Sequence, residues 1–159
     1  MAVRPFDDVV REHGAVVMRV CRALLRPADA EDAWSETFLS ALRAYPRLRP
    51  DSDVRGWLVT IAHRKALDQL RAGARRAVPV ADVPDPGATD PERADDALRA
   101  AIAALPGKQR AAVVLHHLGD LPYADVAAEL GGTAAAARRA AADGIARLRT
   151  TIDGPGRAR

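Results

Sequence analysis

The chain has 159 residues, of which 48% are hydrophobic, and it carries a formal net charge of +3. This apolar content supports packed cores and excludes a disordered chain, and the single cysteine, Cys21, excludes an internal disulfide. No uncharged apolar run approaches the ~18 residues of a membrane-spanning helix, and the first residues lack the apolar core of a signal peptide. We therefore expect a cytoplasmic protein without membrane insertion.

The charge is distributed in three blocks along the chain. Residues 1–76 carry 14 basic and 10 acidic side chains, residues 77–96 carry 1 and 6, and residues 97–159 carry 9 and 5. Two mildly basic blocks therefore flank an acidic strip. Basic blocks favour a polyanionic partner such as nucleic acid, although solvated charged faces explain the same counts.

Three helices are predicted in the first half of the chain. Apolar residues recur at helical spacing over residues 5–25, and Pro27 ends this first helix. Asp29 is predicted to cap a second helix that runs to about Tyr45, and a third helix runs from about 54 to 76. The inward face of the second helix is predicted to hold Trp34, Thr37, Phe38, Ala41, Leu42 and Tyr45.

Residues 77–91 are rich in proline and aspartate, which predicts a flexible linker. Helices are predicted after it at about 92–105, 108–118, 123–130 and 133–151, and no segment alternates as a strand does. The apolar stripe of the first of these helices is predicted to be Ala97, Leu98, Ala101, Ile102 and Leu105. The predicted fold is all-α, with two small helical domains, 5–76 and 92–151, joined by the flexible Pro/Asp-rich linker.

The end of the chain carries the most informative motif. Residues 121–133 have the pattern of a helix, a glycine turn and a second helix, in which Val126 packs the elbow and Gly131 permits a positive φ. This pattern is typical of a helix-turn-helix, whose second helix enters the major groove of DNA. Arg138 and Arg139 lie in that helix. Arginine side chains in such a helix can bind phosphate or donate hydrogen bonds to guanine. A helical hairpin without a DNA role is the alternative.

The third predicted helix is strongly basic, with Asp68 as its one acid and the rings of Trp57 and His63 among its cations. Such a helix could hold a single nucleic-acid strand by charge and stacking. A solvated basic face over a Trp-anchored core explains the pattern equally well. The basic residues are Arg55, Arg64, Lys65, Arg71, Arg75 and Arg76.

Acidic residues cluster at the start of the second helix: Asp29, Glu31, Asp32 and Glu36. Clustered carboxylates can bind a metal ion or act as acid and base, but no histidine lies near them at ligand spacing. We therefore predict no metal, no cofactor and no catalytic residue set. An exposed acidic patch that docks a basic partner is the favoured interpretation.

These elements, in this order, resemble the extracytoplasmic-function (ECF) group of bacterial RNA polymerase sigma factors, in the sigma-70 family. The resemblance covers about 6–76 and 92–150. It rests on the helix-turn-helix and on four further motifs, DAEDAWSETF at 29–38, GWLVTIA at 56–62, DQLR at 68–71 and LPGKQR at 105–110.

The resemblance implies a transcription initiation factor, not an enzyme, that binds core RNA polymerase and promoter DNA and is held inactive by an anti-sigma factor. It implies a region 2-like domain at 5–76, a linker at 77–91 and a region 4-like domain at 92–151. The implied polymerase-binding residues are Asp32, Ser35 and Glu36. The implied minus-ten DNA contacts are Arg64, Lys65, Arg71, Arg75 and Arg76, and the implied minus-thirty-five contacts are Thr133, Arg138 and Arg139.

The chain departs from the family pattern at several of these positions. The family usually has Gln at Ser35, often Asn at Arg64, and Gly-Thr-Val-Lys-Ser-Arg where residues 135–140 read Ala-Ala-Ala-Arg-Arg-Ala. Asp143 stands where a basic residue is common. Two alternatives therefore stay open: a degenerate sigma-like regulator with weak promoter recognition, and a stand-alone helix-turn-helix repressor, which would leave residues 1–76 unexplained. A helical metal-dependent hydrolase ranks last.

Overall fold

The computed structural model describes residues 4–76 and 90–154, and every regular element in these two segments is helical. The prediction of an all-α chain is confirmed for them. The helices are α1 (Phe6–Leu24), α2 (Pro27–Ala44), α3 (Val54–Arg76), α4 (Asp90–Ala103), α5 (Gly107–Val113), α6 (Tyr123–Leu130) and α7 (Ala134–Asp153), with a 3₁₀ turn at Tyr45–Arg47 and a π-helical turn at Val114–Leu118.

None of the helices in these two segments is long and apolar enough to cross a membrane.

The predicted linker falls mostly outside the described residues. Its last two residues are helical, because α4 begins at Asp90 and not at Glu92 as predicted. Pro91 is compatible with this start, since the first turn of a helix does not use the N–H that proline lacks.

Helices α1, α2 and α3 pack against one another as a three-helix bundle. Small residues bring the helices close, since Cys21, Ala30 and Ala33 are fully buried. At Gly14 of α1, an added Cβ would lie 3.4 Å from the Trp34 ring, and the Trp34 indole N–H donates to the Gly14 carbonyl at 2.9 Å. This hydrogen bond fixes the register between α1 and α2.

Two predictions for α2 are wrong. The helix begins at Pro27 after Arg26, so Asp29 lies inside the first turn and does not cap it. An acid still suits that turn because the N-terminal end of the helix dipole is positive. Leu42, predicted to face inward, is 50% exposed, whereas Phe38 and Ala41 are buried as predicted.

Helices α4 to α7 form the second module. Helix α7 packs against both α5 and α6, and Gly144 allows a close approach, because an added Cβ there would lie 2.6 Å from the Val113 side chain. Ala101, Ile102 and Leu105 of the predicted α4 stripe are buried. Leu98 is 41% exposed, so its predicted inward position is wrong.

The two modules are in contact with each other. Helix α1 packs against α4 and the π-helical turn, and α3 also meets that turn. At Gly119 the approach is tight enough that a Cβ would lie 2.5 Å from Val59 of α3. The hydrophobic core therefore continues from one module into the other.

Candidate nucleic-acid and protein interfaces

The acidic residues of α2 border a groove between α2 and α3. Asp32 and Glu36 are exposed and lie together there, whereas Ser35 is exposed beside the groove. The groove has a volume of about 430 Å³ and contains no basic side chain in its lining, which is Asp29, Asp32, Glu36, Asp68, Gln69, Ala72 and Gly73. Such a surface is complementary to a cationic partner.

Asp68 and Gln69 belong to this acidic groove, and the sequence analysis did not assign them to it. The sequence shows Asp68 as the one acid of a basic helix and as part of the DQLR motif, without a role in an acidic surface. In the structure it faces α2 and also lies 3.8 Å from the Arg71 guanidinium. With its amide oriented to satisfy both ends, Gln69 donates to the Asp29 carbonyl at 3.1 Å. The helical repeat of α3 alone could not predict that Asp68 and Gln69 line the groove, because the groove is formed by two helices.

The cations of α3 do not form one continuous patch. Arg64, Arg71 and Arg75 are exposed and share one face by the helical repeat, whereas Lys65 is half-buried and points about 100° away. The side chain of Arg76 lies outside the described residues. The exposed arginines form a stripe that can follow a nucleic-acid backbone.

Arg64 is already engaged by the second module. Its Nε and one terminal nitrogen donate to the two carboxylate oxygens of Glu129 at 2.9 and 2.8 Å. This is the fork-to-carboxylate geometry that arginine also uses for phosphate. Sequence reasoning missed Glu129, because 65 residues separate the partners.

His63 lies beside this pair and is 3% exposed. Neither ring nitrogen has a hydrogen-bond partner in the described part of the chain. Burial lowers the pKa of His63 to about 4, with smaller effects from Glu129, which raises it, and from Arg110 and Arg64, which lower it. In this arrangement the ring is therefore neutral and unavailable for stacking on a base.

The glycine turn of the predicted helix-turn-helix is present between α6 and α7. Gly131 and Gly132 have φ values of 80° and 96°, a region that side-chain-bearing residues rarely adopt. The Thr133 hydroxyl accepts from the Ala136 N–H at 3.1 Å and caps α7. Val126 is fully buried at the elbow. The expected positive φ at Gly131 is confirmed.

Arg138 and Arg139 are both exposed on the first turns of α7. The Arg138 guanidinium lies 5.2 Å from the centre of the Tyr123 ring, which in turn stacks on His116 at 3.8 Å. The ring holds Arg138 at the junction of α6 and α7 by a cation–π contact. Asp143 is also exposed on this helix, so its negative charge is available to repel a phosphate.

The described residues contain no cluster of three or more potential metal ligands. The described surfaces are an acidic groove, an arginine stripe and a helix-turn-helix.

Two family models match the chain. Sigma-70 region 2 matches residues 9–76, and sigma-70 region 4 matches residues 95–148. The first match covers the α1–α3 bundle except for the first residues of α1, and the second covers most of α4 to α7.

Several curated proteins are similar in sequence. The ECF RNA polymerase sigma factor SigM of Mycobacterium tuberculosis (strain H37Rv) is 36% identical over 129 residues, which are 79% of this chain and 66% of SigM. SigE of Mycolicibacterium smegmatis is 34% identical over 142 residues, which are 82% of this chain and 54% of SigE. The chain thus spans slightly less than two thirds of the length of SigM and about half of the length of SigE. CarQ of Myxococcus xanthus, an RNA polymerase sigma factor, is 32% identical over 92% of this chain and 88% of CarQ.

Solved structures share the fold. CnrH, in complex with the cytosolic domain of CnrY, aligns with a TM-score of 0.73 at 22% identity over 95% of this chain and 89% of CnrH. RpoE of Bartonella quintana, in complex with the anti-sigma factor NepR, aligns with a TM-score of 0.72 at 20% identity over 96% of this chain and 99% of RpoE. With both family regions matched, and with CarQ and the ECF sigma factor SigD of Mycobacterium bovis (31% identical over 77% of SigD) aligned over most of their length, this chain belongs to the extracytoplasmic-function group of the sigma-70 family.

Proposed function

We propose that this chain is a non-enzymatic transcription initiation factor that binds core RNA polymerase in the bacterial cytoplasm and directs it to promoter DNA. The supporting observation is that one chain joins a region 2 bundle to a region 4 helix-turn-helix whose glycine turn and exposed arginines are intact. A stand-alone repressor does not need the first of these modules.

Each surface has a proposed role. The acidic groove of α2, with Asp32, Glu36 and the adjacent Ser35, docks on a basic surface of polymerase. The α3 stripe of Arg64, Arg71 and Arg75, with Lys65 and Arg76, contacts the minus-ten element. Helix α7, through Thr133, Arg138 and Arg139, contacts the minus-thirty-five element. The Thr133 hydroxyl accepts from the Ala136 N–H as a cap, so the N–H groups of Ala134 and Ala135 are the ones of the first α7 turn that are left for phosphate.

An anti-sigma protein is the proposed regulatory partner. The support is that CnrH and RpoE, which share this fold, were solved with the cytosolic domain of CnrY and with the anti-sigma factor NepR.

The test is transcription in vitro from sheared genomic DNA with core polymerase, with and without the chain. The proposal predicts new transcripts that begin at defined sites and depend on the chain. Transcripts with the same start sites in both reactions would contradict promoter selection.

A second function is favoured by one observation, the alanine-rich start of α7 with the exposed Asp143. Alanine offers a thymine only methyl contact and supplies no hydrogen-bonding group. We propose as the alternative a sigma-like regulator that binds polymerase or a partner protein but recognises promoters weakly. Tight polymerase binding without chain-dependent start sites would identify it.

A further inference from the structure

Two aromatic rings and a guanidinium are in contact at the junction of α6 and α7. The Tyr123 ring stacks on the His116 ring, with 3.8 Å between the ring centroids and 16° between the planes. The Arg138 guanidinium lies over the same Tyr123 ring, 5.2 Å from its centroid. Tyr123 therefore connects the π-helical turn to the helix that is proposed to bind duplex DNA. We call these three residues the Tyr123 stack.

The backbone around the π-helical turn fixes the first ring of the Tyr123 stack. The Gly119 N–H donates to the Val114 carbonyl at 2.9 Å, which closes the wide π-type turn. Two residues further on, the Leu121 carbonyl lies 2.7 Å from Nδ1 of His116. Because a carbonyl oxygen only accepts, Nδ1 of His116 carries a proton and donates in this hydrogen bond. The bond fixes the ring plane against which Tyr123 packs.

The two arginines at the start of α7 are not equivalent. One residue turns an α-helix by about 100°, so Arg139 points away from the ring that Arg138 contacts. Asp143 follows Arg139 by four residues and lies on the same face, where its carboxylate opposes the attraction of a phosphate. Arg138 instead borders a groove of about 320 Å³, and the described residues that line this groove include no acidic side chain. Arg138 is therefore the better placed of the two to bind an anion.

A ring contact holds an arginine without using its hydrogen-bond donors. The attraction of a cation to the face of a ring is electrostatic, so the N–H groups of the guanidinium stay available for phosphate. A free arginine side chain samples many rotamers and loses this freedom when it binds. Because Arg138 already lies over Tyr123, it has less freedom left to lose, and its contact with a phosphate is strengthened.

We propose that Tyr123 is a positioning residue for Arg138: its ring, held in place by His116, orients the Arg138 guanidinium towards the phosphate backbone of duplex DNA. Tyr123 thus raises DNA affinity through Arg138 and not by a contact of its own. The inference rests on the proposed function for the contact of α7 with DNA, whereas the ring contact itself does not depend on that function.

The test is a double-mutant cycle on the affinity of the full chain for a labelled duplex of mixed sequence at fixed ionic strength. The cycle combines Tyr123→Leu with Arg138→Ala. A parallel cycle with Arg139→Ala is the matched control, since Arg139 is exposed beside Arg138 and the same guanidinium is removed. Tyr123→Phe keeps the ring and is the conservative variant. Far-UV circular dichroism verifies that each variant is folded.

The proposal predicts that the loss of affinity caused by Arg138→Ala is about threefold smaller in the Tyr123→Leu chain than in the wild type. Tyr123→Phe should bind like the wild type, and Arg139→Ala should have the same effect in both backgrounds. An equal effect of Arg138→Ala in both backgrounds, an equal coupling for Arg139, or weaker binding by Tyr123→Phe would overturn the positioning role. Wild-type affinity in Arg138→Ala would contradict the proposed α7 contact and the positioning role with it.

A second measurement uses the wild-type chain and does not depend on DNA binding. The ring current of Tyr123 shifts nuclei over the ring face upfield, so in the proton NMR spectrum the δ protons of Arg138 should resonate upfield of those of Arg139. The shift should persist in Tyr123→Phe. Coincident δ-proton resonances for the two arginines would show that Arg138 is not held over the ring, and would overturn the positioning role while leaving the proposed function intact.

Discussion

At the scale of single residues, the buried imidazole of His63 lies in an environment that differs strongly from water. It lies between the modules without a hydrogen bond, and its neutral form is the one compatible with burial. A buried neutral histidine makes folding stability depend on pH, because at mildly acidic pH the unfolded chain binds a proton on this ring and the folded chain does not.

The sign of this pH dependence follows from the two pKa values. The pKa of His63 is 6.5 in the unfolded chain and about 4 in the folded chain. Above pH 6.5 the ring is neutral in both states, and His63 then takes nothing from the free energy of unfolding. As the pH falls from 6.5 towards 4, the unfolded chain binds the proton first, so the free energy of unfolding decreases. The maximum loss is about 3 kcal/mol, at about 1.4 kcal/mol per pKa unit. Urea unfolding at pH 7 and pH 4.5 should show a steeper loss for wild type than for His63→Leu. Parallel losses in the two proteins would contradict this role of His63.

Gly131 is a residue whose backbone conformation constrains the side chain that the position can carry. Its φ of 80° and ψ of 154° are accessible almost only to glycine, although nothing lies within 4 Å of an added Cβ. Gly131→Ala should therefore destabilise the chain by about 1–3 kcal/mol through backbone strain alone. Gly107→Ala is the matched control, since that site is equally open and has no positive φ. Thermal unfolding of both variants measures the difference, and equal melting temperatures would rule out strain at the turn.

At the scale of elements, α2 presents its carboxylates as one surface. The variant Asp32→Lys/Glu36→Lys should weaken binding to core RNA polymerase at least about tenfold, because it places cations against a basic partner. Asp7→Lys/Asp95→Lys makes the same change in charge at exposed positions on other helices, outside the groove, and serves as the control. If both variants bind equally well, the acidic groove is not the docking surface.

Helix α7 should contribute to duplex binding through its first two turns. Arg138→Ala and Arg139→Ala should each reduce the slope of log affinity against log salt by about one, since each lost phosphate contact removes about one released counterion. Arg147→Ala, which removes an exposed arginine further along α7, should leave the slope unchanged. Slopes for Arg138→Ala and Arg139→Ala that equal the wild-type slope would show that the start of α7 does not touch DNA.

How far the elements could be predicted depends on the range of the interactions involved. The elbow at Val126 and Gly131 was predictable, because turn chemistry acts within a few residues. Leu42 and Leu98 were misplaced because the helical repeat predicts the direction of an apolar stripe, whereas the neighbouring helices decide its width. The prediction that Asp29 caps the second helix is wrong because of Pro27. Proline ends a preceding helix, but it is also well suited to the first position of the next helix, and α2 begins there.

At the scale of the whole molecule, the two modules share a continuous core, and the binding surfaces depend on both. The acidic groove needs Asp68 of α3 beside α2, and Arg64 is held by Glu129 from the other module. Neither pairing has a signature in the sequence, since each joins residues on different helices without a repeating pattern. The region 2 and region 4 motifs identified the family, but the packing between modules could not be predicted from them.

The most direct test of the proposed function is an anisotropy titration of the fluorescently labelled chain with purified core RNA polymerase. The account predicts saturable one-to-one binding that an excess of unlabelled chain competes away. Absence of binding by a chain that circular dichroism shows to be folded would contradict the initiation-factor function and leave the helix-turn-helix acting alone on duplex DNA.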